Sequence, residues 1–514
     1  MKPKLETEES NRMWASASFV GVLIVIGLPL WWKTTEVYRV TLPYDKIAAF
    51  DPLSHVITTE LTVLANDEPT AAELVGLVEK AFEDSDVIKL KISKSILPEH
   101  LHRTLDSVAD EHEGVEEVAS HYDLADHNKF YVVQRKPLFQ DVWLANERVM
   151  FFRDSKASTT VVEALKQWVY HTRVLEGARA ESADEARRIR FPPSPGHSVL
   201  IHTPHEYNLE EDIDDYIGSF VDELSILHNF TLKSQSLYML NFDFQAKEVI
   251  DSSSRGHHFS VRHDRLHLLL TRLEERAPHQ SAIHLALVAA PCDVTPLLIY
   301  DANGQPNHSP IQAFMSPKWG GVVIANPTER ECQDGEWKPQ TRLIMGAFIS
   351  QLRKLLGITN TERIPGAYLD PLRSVAPRKW EIDNLLRIRT LEQLTTAERT
   401  LQSLAQLLGE ISNIVINDDV GASINAAVES TNIASILLAR SELLGAYQES
   451  QIASEAAETA FMEPSLLALL YFPDDQKYAI YIPLFLPIMF PVVLSLKNLF
   501  LWFRGKPIHK DKTD

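Results

Sequence analysis

The sequence predicts a body of α/β (or α+β) class that ends in a helical hairpin and is flanked by one transmembrane helix at each end. Three observations predict this fold class. Uncharged apolar runs lie near both termini, strand and helix patterns alternate over residues 34–375, and leucines follow helical spacing after Pro377. A chain of 514 residues has room for two to three domains of ordinary size.

The first apolar run covers the 20 residues between Arg12 and Lys33. At about 1.5 Å per residue, a helix of that length spans roughly 30 Å, the thickness of a membrane's hydrocarbon core. Tryptophans stand at both margins of the run, as is typical of membrane interfaces. We therefore expect a transmembrane helix over residues 13–32 after a cytoplasmic tail over residues 1–12. A buried core helix is the alternative.

The second apolar run, residues 478–496, has 19 residues without a charge and predicts a second transmembrane helix. Every fourth residue in part of this run is a proline, at Pro483, Pro487 and Pro491. Because each proline lacks an N–H, it leaves a carbonyl that needs another partner. We expect this helix to pack against partner helices, as we do for the small pair Ala17 and Gly21 in the first run. A kinked, lipid-exposed helix is the alternative.

Basic residues after the second run predict a cytoplasmic tail over residues 497–514. Two spans would place both termini on the same side, so residues 33–477 are expected on the other side, in a lumen. Lys510 and Lys512 lie five and three positions from the end and match a dilysine retrieval signal of the endoplasmic reticulum. An ordinary basic tail is the alternative.

Residues 33–376 are predicted to form the lumenal α/β domain. Residues 55–64 alternate in the manner of a strand, and a capping box of Thr70 and Glu73 predicts the start of a helix that runs to residue 82. Further strands are expected at residues 87–92, 129–133, 149–152, 199–202, 283–288, 297–300 and 321–325. Further helices are expected near residues 159–172, 209–227, 264–275 and 340–356.

Residues 377–477 are predicted to form a lumenal helical region. Thr395 and Glu398 belong to a second capping box, and leucines at helical spacing follow it. A second helical stretch covers residues 424–444 after a short turn. This pattern favours a helical hairpin that leads to the second apolar run.

Charge and cysteine content exclude several classes of protein. The net charge of −20 argues against a general nucleic-acid binder, which needs a basic surface to displace phosphate counterions. Two cysteines are too few for a disulfide scaffold or a cysteine-rich zinc fold, but Cys292 and Cys332 are candidates for one disulfide in an oxidising lumen. Asn229 and Asn307 begin N-glycosylation sequons, the second of them weakened by Pro310.

The search for catalytic motifs yields one weak metal candidate. His263 and His267 are four residues apart and could share a helix face. A zinc protease of this pattern needs a glutamate after the first histidine and a third ligand, whereas Asp264 follows here. A solvated helix face is the alternative. The sequence has no G-x-S-x-G, P-loop or dinucleotide motif, and neither cysteine lies in a protease signature, so we predict no catalytic residue and no cofactor.

Two segments next to the apolar runs resemble a known family. Residues 27–44, GLPLWWKTTEVYRVTLPY, and residues 471–487, YFPDDQKYAIYIPLFLP, resemble the terminal signatures of the PIG-S family. Residues 203–207, TPHEY, are a shorter match. The resemblance implies two membrane spans, a lumenal α/β domain and residence in the membrane of the endoplasmic reticulum.

The resemblance also implies a function. It predicts a non-catalytic scaffold subunit of GPI transamidase, which attaches GPI anchors to precursor proteins, with catalysis in the partner PIG-K. The other implied partners are PIG-T, PIG-U and the Gaa-type subunit. Two alternatives remain open: a membrane-anchored lumenal hydrolase that uses His263 and His267, and a trafficking receptor.

Overall fold

The computed structural model describes residues 2–180, 190–192, 196–204, 210–227, 229–237, 246–251, 256–276, 282–307, 309, 311–317, 319–335, 337, 340–358, 362–411, 414–466 and 474–504. The chain divides into two compact units. The terminal unit comprises residues 1–50, 399–428 and 455–514, and the central unit comprises residues 51–398 and 429–454.

The described strands all lie in the central unit. In chain order they are β1 (Ile57–Ala65), β2 (Ile88–Ile96), β3 (Lys129–Gln134), β4 (Val142–Leu144), β5 (Val149–Phe152), β6 (Gly196–Pro204), β7 (Asn229–Leu237), β8 (Lys247–Asp251), β9 (Gly256–Arg262), β10 (Ala282–Ala289), β11 (Leu297–Tyr300), β12 (Gln312–Ser316), β13 (Gly320–Ala325) and β14 (Ala367–Leu369).

The described α-helices are α1 (Lys2–Val22), α2 (Leu28–Thr35), α3 (Tyr44–Ala48), α4 (Glu68–Phe82), α5 (Glu99–Ser107), α6 (Glu111–His121), α7 (Ser158–Ala164), α8 (Thr172–Ala180), α9 (Glu210–Asp212), α10 (Ser219–Glu223), α11 (Leu266–Arg276), α12 (Glu329–Asp334), α13 (Thr341–Leu356), α14 (Lys379–Glu410), α15 (Asp418–Ala439), α16 (Leu443–Phe461) and α17 (Asp474–Phe503). Three helical segments are π-helical, Leu23–Gly27, Leu165–Val169 and Ile213–Gly218.

The strands form three sheets, which agrees with the predicted mixture of helices and strands. A six-stranded sheet has the order β14-β4-β5-β3-β1-β2, and only its β4–β5 pair is antiparallel. A five-stranded sheet has the order β12-β13-β10-β6-β7, with only β12 antiparallel. Strands β11, β9 and β8 form a small third sheet. Parallel pairs need crossover connections, and α4 supplies one between β1 and β2.

Strand burial follows from sheet position. All four residues of β5 are buried, and their continuous apolar sequence VMFF is typical of a strand covered on both faces. In β1 the first six residues alternate between buried and half-buried, because only one of its faces packs against the core there.

The N-cap of α4 is Asp67, whose side chain accepts a hydrogen bond from the backbone N–H of Thr70 at 2.9 Å. The predicted capping box at Thr70 therefore lies one turn too late.

Helix α14 organises the core of the central unit. Residues 380–395 are all buried, and six charged side chains from α14 are buried with the apolar ones: Glu381, Asp383, Arg387, Arg389, Glu392 and Glu398. The predicted helix start at Thr395 is wrong, because that residue lies fully buried inside a helix that begins at Lys379. The expected hairpin is in fact a succession of three long helices, α14, α15 and α16.

The predicted transmembrane helices over residues 13–32 and 478–496 are corrected by the structure. Among the helices formed by the described residues, none combines the length and the apolar character needed to cross a membrane. The first apolar run is divided among α1, the π-helical segment and α2, and α1 begins with a charged half. The second run lies within α17 and contains three prolines, each of which lacks the N–H that a regular helix uses for hydrogen bonding.

We expect Asp383→Asn to destabilise the central unit by about 3–5 kcal/mol, because it leaves the guanidinium of Arg148 buried without its counter-charge. The two side chains are 3% and 2% exposed. Urea denaturation followed by circular dichroism measures the loss. Glu223→Gln is the matched control, since its ion pair with Lys379 is exposed and should contribute less than about 1 kcal/mol. Equal losses in the two variants would contradict this prediction.

Candidate functional site

A cleft of about 510 Å³ opens on the surface of the central unit. Its wall includes Tyr122 and Ile382, and its polar groups include His127, Glu147 and Lys379. A lining of apolar side chains with a few polar groups is the usual composition of a ligand pocket. The cleft therefore has the composition of a candidate ligand site.

Arg148 lies at the base of the cleft and is saturated with hydrogen bonds. Its Nε donates to Asp383 Oδ2 at 2.6 Å, and its Nη2 donates to Asp383 Oδ1 at 2.8 Å. Its Nη1 donates to the carbonyl oxygens of Leu124 at 2.9 Å and Ala125 at 3.2 Å. The bidentate pair neutralises both charges and fixes the cleft wall to α14, so Arg148 has little left to offer a ligand.

His127 lines the cleft and contacts both members of this ion pair through one ring nitrogen. Its Nδ1 lies 2.7 Å from Asp383 Oδ1 and 2.8 Å from Arg148 Nη2. A guanidinium only donates and a carboxylate only accepts, so Nδ1 satisfies one of these two contacts: it donates to Asp383 or accepts from Arg148.

A second cluster in the central unit has the composition of a serine-hydrolase triad. His55 Nε2 lies 2.9 Å from Glu398 Oε1, and His55 Nδ1 lies 3.4 Å from Ser435 Oγ. Ser435 lies inside α15, where backbone N–H groups bond within the helix and cannot form an oxyanion hole beside it. His55 is 3% exposed and Glu398 is 2% exposed. The arrangement is therefore a buried hydrogen-bonded pair with a nearby hydroxyl and lacks the parts needed for acyl transfer.

The metal candidate His263 and His267 lies on the surface. His263 is in a short 3-10 turn and His267 is in α11, and both side chains are exposed. His267 Nδ1 lies 2.6 Å from the carbonyl oxygen of Asp264. Within the described part of the chain, no group of three or more His, Cys, Asp or Glu side chains is arranged to hold a metal ion. Among the described residues, this pair therefore has no third ligand.

Cys292 and Cys332 form a disulfide, with Cα atoms 5.8 Å apart. Of the two sequon residues, Asn229 is exposed at the start of edge strand β7. Asn307 is half-buried, and its side-chain oxygen accepts a hydrogen bond from the backbone N–H of Ser309 at 3.0 Å. The structure therefore presents Asn229 to solvent more fully than Asn307.

The residues expected to pack against partner helices lie in the terminal unit. Ala17 and Gly21 are half-buried in α1, which contacts α17. A Cβ atom added to Gly21 would meet nothing within 4 Å, so no close backbone approach uses this glycine. The three prolines of α17, Pro483, Pro487 and Pro491, are exposed. Lys510 and Lys512 lie outside the described residues.

Sequence reasoning missed a buried histidine pair in the five-stranded sheet. His202 Nε2 lies 3.1 Å from His284 Nδ1, and the ring of His284 stacks on Trp319. The histidines come from neighbouring parallel strands, β6 and β10, at positions set by the register in which Ala286 faces His202. Burial, reinforced by the neighbouring His284, lowers the pKa of His202 to about 4. The two residues are 82 positions apart, so no local motif could indicate the pair.

We expect this pair to make the fold acid-sensitive. The unfolded chain takes up a proton on His202 near pH 6.5, but the folded chain resists protonation until about pH 4. Stability is therefore retained above pH 6.5 and falls as the pH drops from 6.5 to 4, by up to about 3 kcal/mol from this residue. The free energy of unfolding, measured by denaturation at several pH values in this range, should depend less on pH for His202→Gln than for the parent. The exposed His263→Gln is the control, and identical pH slopes in all three proteins would refute the assignment.

Known proteins are similar to this chain over nearly its whole length. The family profile described as "Phosphatidylinositol-glycan biosynthesis class S protein" matches residues 18–506. A Rattus norvegicus protein named GPI-anchor transamidase component PIGS is 32% identical over 533 residues, which cover 95% of this chain and 94% of the relative. The Homo sapiens protein of the same name is 32% identical over 555 residues, which cover 99% and 98%.

A more distant relative, from Schizosaccharomyces pombe, is named GPI transamidase component PIG-S homolog. It is 25% identical over 524 residues, which cover 98% of this chain and 86% of the relative. The matches run through the central unit as well as the terminal segments that carried the resemblance. They confirm the resemblance, and the chain belongs to the phosphatidylinositol-glycan biosynthesis class S (PIG-S) family.

Proposed function

We propose that this chain is a component of GPI transamidase and that its part in the complex is a non-catalytic scaffold. The observation that carries the proposal is the match over nearly the full chain to proteins named as components of that enzyme. Because the match covers both units, the proposal concerns the chain as a whole.

The chemistry of the described residues supports a role without catalysis. Arg148 and Asp383 neutralise each other beneath the cleft, and His55 and Glu398 form a closed pair. Neither cluster places an activated nucleophile beside free backbone N–H groups, which acyl transfer requires. We propose that the transamidation step belongs to the partner PIG-K and that PIG-T, PIG-U and the Gaa-type subunit complete the assembly.

We propose the endoplasmic reticulum as the compartment, with the central unit on the lumenal side. The Cys292–Cys332 disulfide supports this placement, because disulfides persist in oxidising compartments. The exposed sequon at Asn229 supports it as well, since N-glycans are added in the secretory pathway. The predicted cytoplasmic placement of both termini depended on two spans and is not part of the proposal.

The scaffold proposal predicts that the tagged chain, extracted in mild detergent, recovers the four partners in comparable amounts. We further expect the triple variant P483L/P487L/P491L to recover less of them, because it removes an exposed surface that a partner would contact. Quantitative mass spectrometry of the purified material measures both results. Met489→Leu, at another exposed position of α17, is the control. Recovery of the chain alone would overturn the scaffold proposal, whereas full recovery by the triple variant would remove only the proline surface from it.

The absence of catalysis is tested separately by Ser435→Ala in the assembled complex. Loss of a true nucleophile lowers the rate by about 10⁴- to 10⁶-fold. We expect the rate of GPI attachment to remain within about twofold of the parent rate, because Ser435 lacks an oxyanion hole. Complex reconstituted without this chain is the control for dependence on the subunit. A loss on the catalytic scale would contradict the proposed role.

A further inference from the structure

Two histidines on neighbouring surface helices bring their outer ring nitrogens within hydrogen-bond distance of each other. His100 is in α5 and His121 is the last residue of α6. Their Nε2 atoms are 2.9 Å apart, their ring centroids are 4.9 Å apart, and both side chains are exposed. Neither histidine is among the residues that line the cleft, and the pair is distinct from His263 and His267.

The other ring nitrogen of His121 is already engaged by its own helix. His121 Nδ1 lies 3.1 Å from the carbonyl oxygen of Glu117 and 2.7 Å from Ser120 Oγ. The carbonyl can only accept, so Nδ1 carries the hydrogen and the lone pair is on Nε2. Metal-binding histidines are oriented in the same way, with one nitrogen donating to a carbonyl and the other bound to the ion.

The two helices that carry the histidines are held together by a buried cation. Arg135 donates from Nε to the carbonyl oxygen of Leu105 at 3.0 Å and from Nη2 to that of Val108 at 2.7 Å. Its Nη1 lies 3.3 Å from Glu111 Oε1, in the first turn of α6. Arg135 is fully buried, so it links the end of α5 to the start of α6. The spacing of the histidines is therefore preorganised.

We propose that His100 and His121 bind a divalent transition-metal ion through their Nε2 atoms, with water at the remaining positions. Metal–nitrogen bonds of about 2.0–2.1 Å place two ligand nitrogens about 2.9 Å apart at a right angle and about 3.4 Å apart in a tetrahedron. The observed 2.9 Å requires a shift of at most about half an ångström. Imidazole nitrogen favours Zn²⁺, Ni²⁺ and Cu²⁺ over Ca²⁺ and Mg²⁺, which prefer oxygen.

The test is a calorimetric titration of the purified full chain, free of any polyhistidine tag, with NiCl₂ and separately with ZnCl₂. The parent should bind one ion at this site. We expect His100→Ala and His121→Ala each to weaken that binding at least tenfold. The same helices offer matched controls, because His102 pairs with Asp106 at 3.2 Å and His112 pairs with Asp370 at 3.3 Å. His102→Ala and His112→Ala should bind like the parent.

A second measurement separates metal binding from misfolding. Bound metal should raise the melting temperature of the parent, because an ion that binds only the folded state stabilises it. His100→Ala and His121→Ala should melt like the parent without metal and gain nothing when it is added. Parent-like affinity in both variants would overturn the proposal, and so would an equal loss in the His102→Ala and His112→Ala controls. Neither outcome bears on the role in GPI transamidase.

Discussion

The central unit depends on burying α14 together with its charged side chains. A helix surrounded by protein has no water to solvate carboxylates and guanidinium groups, so each one needs a partner within the core. Asp383 meets Arg148, Glu392 meets Arg190, and Glu398 meets His55. These partners come from distant parts of the chain and hold segments separated by 202 to 343 residues against one helix. Removing the acidic member of either arginine pair would leave a guanidinium charged and buried.

Arg387 illustrates how tightly the same helix is enclosed. Its guanidinium lies 5.2 Å from the centre of the Tyr170 ring, and burial lowers its pKa while the charge of Asp383 opposes that change. Burial also raises the pKa of Tyr170 to about 12, so the phenol stays neutral beside the cation. Buried ion pairs such as that of Arg148 and Asp383 are a weak source of net stability, but they permit few alternative packings. We infer that their main effect here is to specify the position of α14.

The buried clusters of the central unit have most of their hydrogen-bonding groups engaged by one another. Arg148 donates hydrogen bonds to Asp383 and to two backbone carbonyls. His55 lies between Glu398 and a serine within a helix. Groups that satisfy one another have little capacity to act on a substrate. The less constrained groups are at the surface, where His100 and His121 meet and where the prolines of α17 are exposed. Contacts with partners and ions would use such surfaces.

Local periodicity and terminal motifs determined the positions of several strands and the family from the sequence alone. Local strand patterns located β1, β3, β5 and β10 to within two residues at each end, and the terminal signatures identified the family, because both signals depend on neighbouring residues. The prediction of membrane spans was wrong. An uncharged run does not show where a helix changes to a π-helical segment, and it does not show how prolines alter the helix. Only the tertiary structure decided the burial of α14. Its charged residues favour an exposed position when the sequence is considered alone, because their partners are distant in the chain. The tertiary structure also paired His202 with His284 and His100 with His121, because strand register and helix packing bring together residues that no sequence spacing relates.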